Sequence, residues 1–70
     1  MTLRDAVEGQ EYVFRQVATD DEAMNAFLFS LGCYSGEPIT VVLHRKGACI
    51  VSIKDARYTI DYQLADAIFI

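Results

Sequence analysis

The 70-residue sequence has no tryptophan, one proline, one histidine, two cysteines and four glycines. Each scarcity excludes something. A single histidine, His44, rules out a multi-histidine metal centre, and Cys33 and Cys49 are too far apart to form a C-x-x-C half-site, so a structural zinc site is not expected. Free cysteines of this kind behave as small buried hydrophobes. Long apolar runs are also missing. The longest are four residues, such as Ala26 to Phe29 and Ala67 to Ile70, against the roughly 20 that a membrane-spanning helix requires. The N-terminus, Met-Thr-Leu-Arg-Asp, has no basic flank leading into an apolar stretch. A soluble, cytoplasmic protein is expected. Clustered basic charge is absent too: the six basic residues stand singly apart from Arg45-Lys46, and the net charge is −4. Nucleic-acid binding draws on grouped Lys and Arg, so a polyanion partner is discounted, as is docking on an anionic membrane by charge.

What is present is apolar. Fifty-three per cent of the residues are hydrophobic and 23% charged, a globular rather than a disordered composition. One small domain spanning 1–70 is expected, with little stability to spare, since one core of this size contributes only ~3–5 kcal/mol.

Thr2 to Gly9 reads as a lead-in ending in a turn at Glu8-Gly9, and Glu11 to Val17, "EYVFRQV", as a strand. Thr19 and Glu22 match a capping box, and the acidic residues between them suit a helix N-terminus. Met24, Phe27, Leu28 and Leu31 then recur at helical spacing. Gly32 stands where a left-handed residue closes a helix. Pro38 to His44 reads as a strand, Arg45-Lys46-Gly47 as a turn and Ala48 to Lys54 as the returning strand. A turn at Asp55-Ala56 leads to a strand over Arg57 to Ile60. A tight polar segment, Asp61 to Asp66, precedes a closing strand over Ala67 to Ile70. About five strands with one short helix inserted after the first describe an all-β fold, a small and strongly bent barrel.

The junction "SLGCYSGEPITVV", Ser30 to Val42, carries two glycines and the proline. Gly32 and Gly36 are explained by turns, with no chemistry required. Catalysis has no support: there is no phosphate loop, no nucleophile elbow and no histidine beside an evident carboxylate. Asp20, Asp21 and Glu22 look like hard-metal ligands, but adjacent residues at a helix start point in different directions, and capping with dipole compensation explains them. Tyr12, Tyr34, Tyr58 and Tyr62 could line a proline-peptide groove, though tyrosines on strands usually pack in a core.

Leu31-Gly32-Cys33-Tyr34-Ser35-Gly36 resembles the Leu-Gly-x-x-Pro-Gly signature of the FeoA family. The resemblance extends along the chain: Leu3, Ala6 and Gly9 are similar to the family's opening Leu-x-x-Leu-x-x-Gly, "ITVVL" to its next strand, and "YTIDYQLADAIFI" to its ending. The likeness implies an SH3-like barrel and a non-enzymatic accessory role in ferrous iron uptake, binding or modulating a FeoB-type GTPase-linked transporter. The alternative it implies is a transition-metal-responsive domain like the one that ends DtxR-type iron-dependent repressors. No cofactor is expected, Fe(II) being the one ion left open. Three departures stand out. Cys33 occupies a usual Leu, Ile or Met position, and Ser35 the usual proline. Ala26, Phe27, Asp61 and Tyr62 lie in regions where the family often has arginines. Partner contact is therefore expected to shift from charge toward apolar packing, centred on Tyr34 with Cys33 and Ser35 beside it. Leu31, Gly32 and Gly36 are the structural motif beneath.

Overall fold

A computed structural model describes residues 1–70. Six strands and two helices follow one another as β1 (Glu11–Val13), β2 (Gln16–Val17), α1 (Glu22–Ser30), β3 (Pro38–Arg45), β4 (Ala48–Ile53), β5 (Ala56–Asp61), α2 (Tyr62–Ala65) and β6 (Ile68–Phe69). One sheet has the order β1-β3-β4-β5, and β2 pairs with β6 in a second. Together they form a small SH3-like barrel with one main helix inserted early.

The expected strand over Glu11 to Val17 is two strands, which is why there are six. Tyr12 lies opposite Ile39 on β3, and Val17 opposite Ile68 on β6. Between them Phe14 turns into the core, its amide bonding the Glu37 carbonyl while that of Arg15 reaches the Phe69 carbonyl, both at 2.8 Å. One segment thus serves both sheets by changing partner at a corner, and its uniform β-propensity gives no sign of the change.

The core has thirteen buried apolar residues and no buried polar one. Ordinary alternation builds most of it: Cys49, Val51 and Ile53 of β4 all point inward. On β3 the register slips between Val41 and Leu43. This bulge adds one residue and moves the inward phase from Ile39 and Val41 to His44, leaving Leu43 42% exposed. The lead-in is also structural. Leu3–Asp5 form a 3₁₀ turn whose Leu3 is fully buried, and Ala6 follows it inside. The expected turn at Asp55-Ala56 lies one residue earlier, at Lys54-Asp55, both with positive φ, the two-residue loop that suits strand twist. The polar segment after β5 winds into α2, capped by the Asp61 carboxylate on the Leu64 amide at 2.8 Å.

The start of α1 differs from the expected cap. Asp21 is the N-cap, its Oδ1 accepting from the amides of Ala23 (2.9 Å) and Met24 (3.2 Å). Thr19 stands two residues back, its hydroxyl accepting from the Asp21 amide at 3.1 Å. Glu22 is consequently the first helical residue and cannot close a box with Thr19. An ionised carboxylate both accepts the orphan amides and opposes the positive helix end, so Asp21 is the stronger cap. The expected apolar stripe is narrower than its spacing implied. Only Leu28 is fully buried; Met24 and Leu31 are partly covered, and Phe27 faces out at 52%. Leu31 is therefore the helix C-cap at the edge of the core rather than within it.

Candidate functional site: an aromatic corner

Helix α1 ends in a complete Schellman closure. The Cys33 amide bonds the Leu28 carbonyl at 2.9 Å and the Gly32 amide that of Phe29 at 3.0 Å, with Gly32 at φ +94°. The motif's apolar contact is present too, since Leu28 and Cys33 both belong to the core. Three residues later the Glu37 amide returns to the Tyr34 carbonyl at 3.0 Å across a turn with Gly36 at φ +91°. The Gly36 amide ties this turn to Phe14 at 2.9 Å. Tyr34 thus sits between two closed turns on a pinned backbone.

Its side chain is half-buried and flanked on the surface. The Phe29 ring lies tilted against it at 5.0 Å between centroids, and the Lys54 ammonium stands 5.3 Å from the ring centre. Lys54 also pairs with Glu37 at 3.2 Å. The Tyr34 hydroxyl first, then the Glu37 carboxylate, hold the Lys54 ammonium above the usual lysine range. Phe29 is 66% exposed and carries the apolar surface from Tyr34 onto the end of α1. Phe27 is also exposed, at 52%, but two residues earlier, about 200° around the helix. Neither phenylalanine stood out as a surface residue in the sequence. A signal for them did exist: four consecutive apolar residues, Ala26 to Phe29, cannot all face one side of a helix turning ~100° per residue.

The other residues singled out divide clearly. Ser35 is exposed at the tip of the turn. Cys33 is buried beneath it and supplies packing, with no surface for a partner. Burial pushes its thiol from 9.0 up to about 11, and Cys49 shifts in the same direction for the same reason. The unfolded chain releases the Cys33 proton near its ordinary value and the folded chain only near the raised one. Stability is therefore intact below pH 9.0 and declines as the pH rises through about 11. The slope for one thiol is at most ~1.4 kcal/mol per pH unit. Urea midpoints should fall between roughly pH 8 and roughly pH 10, and the fall should be shallower in Cys33→Ala. An equal slope in that variant would show that Cys33 does not contribute.

His44, brought inward by the bulge, has both nitrogens engaged. Nε2 faces the Ala6 carbonyl at 2.7 Å, an acceptor only, so this nitrogen carries the proton and donates. Nδ1 then accepts from the Tyr62 hydroxyl at 2.6 Å. Arg4 lies 4.7 Å over the Tyr62 ring and pairs with Asp66 at 2.9 Å, so the histidine ties the lead-in, β3 and α2 together. No three His, Cys, Asp or Glu side chains are grouped to hold a metal ion. An open cleft of about 340 Å³ separates the start of α1 from α2, with Asp21, Met24, Asp61 and Gln63 on its walls. Both of its carboxylates are already occupied with helix caps.

The family model of the FeoA domain matches residues 1–70. The chain belongs to the FeoA family. Membership implies involvement in ferrous iron transport, in a family of small transport-related domains rather than of enzymes. No curated protein matches the sequence. Solved structures share the fold. The crystal structure of an iron uptake regulatory protein (FeoA) superposes with a TM-score of 0.80 at 24% identity, over 96% of this chain and 88% of the other. The solution structure of iron(II) transport protein A from Clostridium thermocellum gives 0.87 at 22% identity, over 99% of this chain and 43% of the other. A manganese-dependent transcriptional repressor gives 0.85 at 21%, over 97% and 39%. The chain thus spans less than half the length of the latter two. No helix is long and apolar enough to cross a membrane.

Proposed function

We propose that this FeoA domain, a single unit over residues 1–70, is a cytoplasmic accessory protein of ferrous iron uptake. It binds the cytoplasmic part of a FeoB-type GTPase-linked transporter and modulates it without catalysing a reaction itself. The observation that carries this reading is the aromatic corner: Tyr34 in contact with the exposed Phe29, on a backbone closed at both Gly32 and Gly36. Rigid aromatic side chains give large contact area at low entropic cost, the property of interface hot spots. Ser35 contributes at the rim, and Cys33 supports the corner from below. The expected contact is apolar, since Ala26, Phe27, Asp61 and Tyr62 occupy the regions where the family often has arginines.

A second reading, a transition-metal-responsive domain, draws on the likeness in fold to the manganese-dependent repressor. The ligand inventory favours the first: both His44 nitrogens are hydrogen-bonded and no cluster of donors is assembled. Calorimetry with the purified cytoplasmic domain of a FeoB-type transporter tests the proposal. Phe29→Ala and Tyr34→Ala should each weaken binding by ~1 kcal/mol or more, with melting nearly unchanged for the exposed Phe29. Binding equal to the parent in both would place the docking surface elsewhere. Tight one-to-one Fe(II) binding without any transporter contact would favour the second reading.

A further inference from the structure

Strand β5 is an outer strand of the four-stranded sheet, and the hairpin before it decides which of its amides face out. The two-residue loop makes Ile53 and Ala56 a pair that exchanges hydrogen bonds. Val51–Tyr58 and Cys49–Ile60 then follow by alternation. The pattern continues to Tyr62, whose amide reaches the Gly47 carbonyl at 3.1 Å. Arg57, Thr59 and Asp61 therefore direct their backbone groups away from β4. None of the three amides donates to a turn, a loop or a cap. Their side chains are exposed, whereas Ile60 is buried and Tyr58 partly so. The opposite edge, β1, has only three residues.

We propose that β5 pairs antiparallel with β5 of a second copy of this chain, across a two-fold axis at Thr59. In that register Arg57 lies opposite Asp61 of the second copy, and Asp61 opposite the second copy's Arg57. Thr59 meets its own counterpart. Each Thr59 amide then faces the Thr59 carbonyl of the other copy and each Asp61 amide the Arg57 carbonyl, so the bare edge is covered. The Asp61 carbonyl, at the N-cap of α2, already accepts that helix's first bond. Opposite charges and paired threonines directly across a ladder are favourable. Arg57 is free for this role, since the ion pairs within the chain are Arg4–Asp66 and Lys54–Glu37. Asp61 caps α2 through Oδ1 alone, leaving its other oxygen available.

The charge pattern also selects the register. An axis at Arg57 or at Asp61 sets like charges against themselves. An axis at Tyr58 sets Asp61 against Asp55, and one at Ile60 leaves Arg57 beyond the strand's end. Only the axis at Thr59 pairs unlike charges. A strand whose residues are complementary to themselves under a two-fold fits a second copy better than an unrelated strand.

Sedimentation velocity over a range of protein concentrations tests the pairing. A monomer–dimer equilibrium is expected, weakened by added salt because the charged pairs are exposed. Arg57→Glu, which sets two acidic residues opposite each other, should weaken the dimer at least tenfold while leaving the melting of the monomer unchanged. Thr59→Pro removes an outward donor but no bond to β4, so it should abolish dimerisation. Hydrogen exchange gives a reading without any variant: the Thr59 amide should become more protected as concentration rises, while that of Tyr58 stays constant. A monomer at every concentration, or a dimer indifferent to Arg57→Glu, would overturn the proposal.

Discussion

Leu28→Ala should leave the chain largely unfolded. Leu28 is 1% exposed and is the only fully buried residue of α1. It joins α1 to a core drawn from the strands, the lead-in, the corner at Phe14 and α2. Removing a buried leucine side chain costs ~2–5 kcal/mol, the lost transfer energy plus that of the cavity left behind. One small core contributes only ~3–5 kcal/mol in total, so the loss approaches everything available. The backbone cap survives the change, because the Leu28 carbonyl still receives the Cys33 amide. The effect is therefore one of packing alone. Urea unfolding followed by far-ultraviolet circular dichroism measures it. Phe27→Ala and Phe29→Ala, at the exposed residues on either side of Leu28, should stay within ~0.5 kcal/mol of the parent. If instead Phe27→Ala were the damaging change and Leu28→Ala mild, the helix would be rotated by a third of a turn from the orientation described.

The contrast between Leu28 and Phe27 also shows what the sequence discloses and what it conceals. Features that depend on one residue's own backbone were legible: Gly32 and Gly36 both adopt positive φ, and Gly32 ends α1 where its spacing indicated. Strand alternation in β4 was legible for a similar reason, since a period of two needs no knowledge of the partner. Phase was not. Whether Leu43 or His44 faces the core depends on a bulge that exists only once β3 pairs with β4. The division of β1 from β2 depends on Glu37 and Phe69 taking successive amides from distant parts of the chain. The cap on α1 was displaced because several acceptors precede the helix, and it is the Asp21 carboxylate that takes the amides of Ala23 and Met24. At the aromatic corner, the glycines flanking Tyr34 were visible as constraints. The companions of Tyr34 were not: Phe29 reaches it from the preceding helix and Lys54 from the β4–β5 turn, and only the folded chain brings the three together.

Gly32→Val should be nearly as damaging as the loss of Leu28, by a different route. Gly32 has φ +94°, a conformation in which a β-branched residue is a genuine outlier. Strain of that kind costs ~1–3 kcal/mol. A Cβ there would also lie 2.9 Å from Lys54 Cδ, 3.0 Å from Cε and 3.4 Å from Ile53 Cγ2. The lysine stem is flexible and can withdraw, but doing so moves its ammonium from the Tyr34 ring and the Glu37 carboxylate. The two effects can be separated with Gly36, which has φ +91° and nothing within 4 Å of the position a Cβ would take. Gly36→Ala should thus report backbone strain alone. Gly32→Ala should add the displacement of Lys54, and Gly32→Val the branched side chain as well. Melting midpoints should fall in that order. The middle variant links the stability of the corner to its proposed use, since a displaced Lys54 leaves the Tyr34 ring uncovered without removing it. Gly32→Ala should therefore change transporter binding by more than its effect on stability explains. Equal melting of Gly32→Ala and Gly36→Ala would show that Lys54 withdraws without loss, and parental melting of Gly32→Val would mean that α1 is not closed at this residue.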